Sequence, residues 1–159
     1  WWREKDMNKN FTSAFEFKLI YIIRIKKESH KGLLKIGDTT IKTDESIDNL
    51  PPNCKALNQE AIKRVKKYTN TAGISFELLH TELAVRTVKD KDGKFVLKAF
   101  RDNHVHRVLK NSGIPNKQIK GTSSQEWFEI DLYTALEVSD AVKKDIIICL
   151  LPPIGLLHQ

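Results

Sequence analysis

The fold is decided by two apolar stretches, FKLIYIIRI at residues 17–25 and GLLKIG at residues 32–37. The first is rich in β-branched and aromatic residues, and the second follows it after a polar turn, which together predict a β-hairpin. Facing side chains on paired strands lie about 5 Å apart. The hairpin is therefore expected to bring the Tyr21 hydroxyl close to the Lys35 ammonium.

The first half of the chain continues with a predicted loop and a helix. Residues 39–57 are rich in Thr, Asp and Asn and contain the Pro51-Pro52 pair, which is typical of a loop. Asn58 is expected to cap a helix that runs to about Tyr68, because apolar side chains then recur at helical spacing.

The second half is predicted to alternate strands and helices. Two strands, Ser75–Val88 and Lys94–Phe100, are joined through an Asp-Gly pair that favours a tight turn. A short helix capped by Asp102 or Asn103 follows, and then come the polar loop 116–125, the strand Glu126–Ile130 and a final helix capped by Asp131. The resulting order, β-β-α-β-β-α-β-α, predicts a small α+β domain with a mainly antiparallel central sheet flanked by helices.

Composition points to one domain with an anionic partner. The 159 residues fit a single core, and the formal net charge of +7 favours a partner such as nucleic acid. Cys54 and Cys149 belong to no paired spacing, which argues against a zinc site or a disulfide scaffold and suits a cytoplasmic location.

The two ends of the chain are expected to lie outside the domain at residues 11–145. Residues 1–10 are interpreted as an N-terminal extension, since Met7 looks like a natural start. The apolar tail 146–159 contains Pro152-Pro153 and is shorter than the roughly 20 residues of a membrane span. It is interpreted as a truncation or an interface.

Five short motifs occur in order along the chain. They are Leu19-Ile20-Tyr21, Lys35-Ile36-Gly37, Arg64 with Tyr68 on one helical face, Asp102 with His106 one helical turn later, and Glu126-Trp127-Phe128. Together these motifs resemble the GIY-YIG endonuclease domain, of the type found at the N-terminus of bacterial type III restriction-like DEAD/DEAH-box helicase proteins. Leu19 replaces the first glycine of that pattern, and Lys35 stands at its second tyrosine, as in restriction-enzyme members of the family.

The resemblance implies a nuclease that hydrolyses DNA phosphodiester bonds with Mg²⁺ or Mn²⁺. Tyr21 would be the general base, if nearby cations lower its usual pKa of about 10. Lys35 and Arg64 would bind phosphate, Tyr68 would orient water or phosphate, and His106 would support a metal ligand or carry a proton. The exposed cations expected to bind DNA are Lys63, Arg64, Lys66 and Lys67.

Asp102 and Glu126 are the two candidate metal ligands. The helical match with His106 favours Asp102, although the family usually carries a longer glutamate at that place. Glu126 has the longer reach, and it would approach Tyr21 and Lys35 if its strand lies beside the hairpin. The two acids then share the ion, or one replaces the other.

Each of these residues also has a structural interpretation. Tyr21 and Tyr68 can be packing residues, Asp102 can cap its helix, and His106 can be a satisfied helix histidine. At the level of the whole chain, the alternatives are a catalytically inactive DNA-binding module and a partner-recruiting interaction domain. The helicase region that the resemblance implies as a partner is absent from this chain.

Overall fold

The computed structural model describes residues 15–69, 73–119 and 126–144. Its first feature is the predicted hairpin, in which β1 (Phe15–Ile25) pairs with β2 (Leu34–Thr43) in antiparallel register, with Tyr21 opposite Gly37. The hairpin is confirmed, but it is longer than predicted. Residues 39–43 were assigned to a loop and instead extend β2, because they pair with the first half of β1 and bury Ile41.

The central sheet has four antiparallel strands in the order β3-β1-β2-β6. Strand β3 (Phe76–Leu83) pairs with the outer side of β1, and β6 (Trp127–Phe128) pairs with Leu34 and Lys35 at the start of β2. The strand predicted at Glu126–Ile130 is thus only two residues long. Its shortness leaves Glu126 at the edge of the sheet, where its carbonyl accepts from the Ile36 amide at 3.1 Å.

The single strand predicted at Ser75–Val88 is wrong, because the chain changes sheets at Ala84. The Ala84 amide donates to the Lys18 carbonyl at the end of the central sheet, and its own carbonyl accepts from the Phe100 amide. Beyond this point β4 (Val85–Lys89) and β5 (Phe95–Ala99) form a separate antiparallel pair. The predicted Asp-Gly turn joins them, with Gly93 at a φ of 77° that favours glycine.

Three α-helices occur in the described ranges: α1 (Lys55–Thr69), α2 (Asp102–Asn111) and α3 (Leu132–Lys143). Two predicted caps are wrong. Asn58 lies inside α1, where its side chain bonds the Asn53 carbonyl and the Thr81 hydroxyl, and the N-cap of α2 is Arg101. The predicted cap of α3 is confirmed, since the Asp131 carboxylate accepts from the Thr134 amide at 2.7 Å.

The alternation of side chains along β1 and β2 builds a core on each face of the sheet. On one face, Tyr21 and Ile23 pack against α1. On the other, Ile20 and Ile22 pack against α2 and α3. Trp127 and Phe128 are both buried, one in each core, as expected of anchors on successive positions of a strand. The molecule is an α+β domain with helices on both faces of an antiparallel sheet.

Several predictions fall on residues that the structure does not describe. They concern the extension 1–10, most of the polar loop at 120–125, the tail 146–159 with Cys149, and the side chain of Tyr68. Among the described residues, no helix has the length and apolar character needed to cross a membrane.

Candidate functional site

Tyr21 and Gly37 form one packing unit at the centre of the hairpin. A Cβ atom placed on Gly37 would lie 2.5 Å from both Cζ and Oη of Tyr21, far inside ordinary contact. Glycine at this position therefore lets the tyrosine ring lie directly across the neighbouring strand. Tyr21 is only 2% exposed and belongs to the core beneath α1. Its ring is held rigidly, as both a packing role and an orienting role require.

Lys35 lies on the same face of β2 as Gly37, two positions earlier, and is 7% exposed. Its Nζ lies 3.4 Å from the Glu126 carboxylate. Burial lowers the pKa of the Lys35 ammonium, while the charge and hydrogen bond of Glu126 act in the opposite direction. Glu126 thus reaches Lys35 from the residue before β6, as expected for the case in which that strand lies beside the hairpin.

The Asp102 and Glu126 carboxyl groups lie within hydrogen-bonding reach of each other. Asp102 is the first residue of α2, and Glu126 immediately precedes β6. Burial, and then the nearby Asp38 and Glu126 carboxylates, raise the pKa of Asp102 to about 7. Two carboxyl groups this close disfavour having both ionised, so one of them keeps its proton to a higher pH.

Asp38 was not predicted and links the hairpin to α2. Its carboxylate accepts from Arg101 Nε at 3.0 Å and Nη2 at 3.3 Å, and from the Asp102 backbone amide at 3.0 Å. Burial alone would raise the pKa of Asp38, but the bonds from Arg101 and Asp102 outweigh it and the net shift is downward. Asp38 thereby occupies the positive end of α2 and fixes the position of Asp102.

His106 attaches α2 to the backbone of β2. Its Nε2 lies 2.7 Å from the Ile36 carbonyl, and its ring packs 5.0 Å from that of Phe128. Because a carbonyl only accepts, Nε2 carries the hydrogen of this bond. Burial lowers the pKa of His106, which favours the neutral ring. This geometry favours a role in which His106 positions α2 over a role in proton transfer.

The predicted DNA-binding residues lie together on α1. Their side chains are exposed, while Leu57, Ala61 and Val65 bury the opposite face of the helix. The set comprises Lys63, Arg64, Lys66 and Lys67. Arg64 is close enough for its charge to lower the pKa of Lys35, so it lies on the side of the helix that approaches the hairpin. The backbone of Tyr68 lies in the last turn of α1.

Comparisons of the chain with protein-family models, with characterised proteins and with solved structures found no match. The basis for a functional assignment is therefore the set of motifs and the geometry just described.

The donor set at Asp102 and Glu126 fits a hard divalent cation. Mg²⁺ prefers oxygen ligands and is commonly held by one or two carboxylates, with water and substrate phosphate completing its shell. The described residues contain no group of three or more His, Cys, Asp or Glu side chains arranged for a metal ion. Two carboxylates alone would leave the other positions of such a shell to water and phosphate oxygens.

One residue of the site could not have been found by motif alone. Asp38 directly follows the Lys35-Ile36-Gly37 motif, and Arg101 directly precedes Asp102. In the sequence, Asp38 and Arg101 are marked only by these neighbouring motifs. Neither motif shows that the two side chains, 63 residues apart in sequence, form an ion pair.

Proposed function

We propose that this chain is a GIY-YIG-type endonuclease domain that hydrolyses DNA phosphodiester bonds with a divalent metal ion. The observation that carries the proposal is the convergence of distant motifs on one edge of the hairpin. The Tyr21 ring lies across Gly37, and Lys35, on the same strand face, contacts Glu126, whose carboxyl reaches Asp102. These are the positions that the family resemblance assigns to the active site.

Each side chain has a role that follows from its place. Lys35 is a buried cation beside the acids, and Arg64 is an exposed guanidinium at the same side, so together they can neutralise a phosphate that enters from α1. Tyr21 is held by Gly37 in one orientation, which suits a hydroxyl that accepts a proton from water or aligns it.

Asp102 and Glu126 are the residues that would hold the metal ion. When bound, Mg²⁺ supplies positive charge to the phosphoryl oxygens and favours ionisation of water. Asp38 and Arg101 keep the Asp102 amide at the start of α2, and His106 ties the next turn to β2. These three residues position Asp102 through bonds to its backbone amide, to Asp38 and to β2, and these bonds do not use its carboxylate.

The same resemblance supports a wider context for the domain. We infer that it acts in the cytoplasm as the nuclease part of a restriction or defence protein, with a helicase region supplying translocation. The exposed cations of α1 give such a domain its own affinity for DNA phosphates.

The test is plasmid cleavage with Mg²⁺ or with EDTA, comparing the unmodified domain with Arg64→Ala and Lys67→Ala. Both variants remove one exposed cation from the same helix, so both should weaken DNA binding similarly. Only Arg64→Ala should abolish cleavage, because Arg64 is the one of these two cations whose charge acts on Lys35. DNA binding without cleavage in any divalent ion would instead identify an inactive DNA-binding module.

A further inference from the structure

The β4–β5 hairpin carries an exposed apolar face. Phe95 is 70% exposed and Leu97 is 58% exposed, and the alternation along β5 puts both on one face of the pair. Lys89 is the cross-strand partner of Phe95, and its Nζ lies 5.4 Å from the centre of the phenyl ring. A ring and a leucine exposed to this extent on one face leave an apolar surface that a partner can cover.

The same hairpin is strongly basic. Residues 85–99 contain five cations and two acids, a net charge of +3. One of the acids is engaged in the turn, since the Asp90 carboxylate accepts from the amides of Asp92 and Lys94, both at 2.9 Å. The cations are Arg86, Lys89, Lys91, Lys94 and Lys98. The hairpin therefore offers an anionic partner an excess of positive charge.

On the other face of the hairpin, two cations lie directly opposite each other. Arg86 on β4 pairs in register with Lys98 on β5. Lys98 is exposed, so an anionic partner can reach its ammonium. This positive charge makes phosphate a better match for the hairpin than a neutral apolar surface.

The base of the hairpin is joined directly to the candidate active site. After β5, Phe100 is buried in the core, Arg101 binds Asp38, and Asp102 is the candidate metal ligand. A partner held by the hairpin is therefore bound next in sequence to the acid at the start of α2.

We propose that the β4–β5 hairpin is an arm that binds duplex DNA, with Phe95 and Leu97 against sugars and bases in a groove and the lysines on the flanking phosphates. A two-stranded ribbon is narrow enough for a DNA groove, and Phe and Leu are side chains that proteins insert against base steps. The choice of DNA over other polyanions rests on the proposed nuclease function.

The test measures binding to a short, fluorescently labelled DNA duplex in EDTA, so that affinity is separated from cleavage. Phe95→Ala should weaken binding about tenfold, within the range for loss of an aromatic contact to a base. Tyr133→Ala is the matched control, because Tyr133 is an equally exposed aromatic residue on α3, and it should leave affinity unchanged. Circular dichroism should show both variants folded, since neither ring is buried.

A second pair of variants tests the electrostatic part. Lys98→Ala should reduce the salt dependence, the slope of log affinity against log salt, by about 0.9. Lys144→Ala should leave that slope unchanged, because the Lys144 ammonium already lies 2.8 Å from the Asp140 carboxylate.

Equal affinities for Phe95→Ala and Tyr133→Ala would overturn the proposal, as would an absence of duplex binding. The proposal would also be overturned if the unmodified domain sedimented as a dimer and Phe95→Ala as a monomer while their DNA affinities were equal. The apolar face would then bind a second copy of the chain. The nuclease proposal fails separately. DNA binding that depends on Phe95, without cleavage in Mg²⁺, would support the DNA-binding arm and contradict the nuclease function. Cleavage with an unchanged rate in Phe95→Ala would support the nuclease function and contradict the arm.

Discussion

Replacing Gly37 with alanine should destabilise the domain through a collision with Tyr21. The new Cβ would lie 2.5 Å from Cζ and Oη of the ring, about 0.9 Å inside the ordinary contact range that begins at 3.4 Å. The ring has little room to move, because Tyr21 is almost fully buried beneath α1. Overpacking of this kind costs about 1–3 kcal/mol in the free energy of unfolding.

The size of the effect can be isolated with a double-mutant cycle. Tyr21→Leu removes the outer part of the ring, so the added methyl group then meets no aromatic atom. In that background Gly37→Ala should be neutral or stabilising by roughly 0.5–1 kcal/mol, since alanine is favoured over glycine within a strand. The coupling between the two positions, the difference between these two effects, should therefore be roughly 1–4 kcal/mol.

Urea denaturation of the four proteins in the cycle measures this coupling. The packing unit of Tyr21 and Gly37 would be refuted if Gly37→Ala had the same effect on the free energy of unfolding in both backgrounds. A stabilising effect in the unmodified domain would refute it equally.

Three further predictions concern the acids. Asp102→Asn should abolish Mg²⁺-dependent cleavage, with partial recovery at high Mg²⁺. Glu126→Gln tests the alternative metal ligand in the same assay, and full activity of both variants would contradict the proposed metal site. Because the pKa of Asp102 is raised to about 7 in the fold, the metal-free domain should lose stability as pH rises from about 4 to 7. Mg²⁺ should then raise the melting temperature more at pH 8 than at pH 5, and equal shifts would contradict this. The pKa of Asp38 is lowered, so its contribution to stability should be present above about pH 4 and lost as pH falls below that value. The melting temperature of Asp38→Asn should therefore fall less in acid than that of the unmodified domain. An equal fall in both proteins would contradict this prediction.

The central hairpin and the last helix were predictable because their signals are local. Apolar runs rich in β-branched and aromatic residues identify β1 and the start of β2, and an aspartate before an apolar periodic segment identifies the cap of α3. The end of β2 was missed because its threonines and aspartate also suit a loop. The break at Ala84 was missed because Val85, Thr87 and Val88 continue the strand propensity, while the change of sheet depends on tertiary packing.

Some of the contacts around the candidate site were predictable from the sequence, and others were not. The proximity of Lys35 and Glu126 follows from strand pairing, which a sequence pattern can suggest. The bond from Arg101 to Asp38 depends on how α2 is placed against β2, and no local pattern reports that placement. The contact of His106 with the Ile36 carbonyl likewise depends on how α2 is placed against β2, so the sequence did not show it.

Single-turnover cleavage of a DNA duplex by Tyr21→Phe, with saturating protein and Mg²⁺, tests the central claim most directly. The variant keeps the ring that packs across Gly37 and removes only the hydroxyl, so folding and DNA affinity should match the unmodified domain. If Tyr21 accepts or aligns the proton of the attacking water, the rate should fall by about 10²–10⁴-fold. A Tyr21→Phe rate equal to that of the unmodified domain would contradict the account, because the buried tyrosine would then be a packing residue alone.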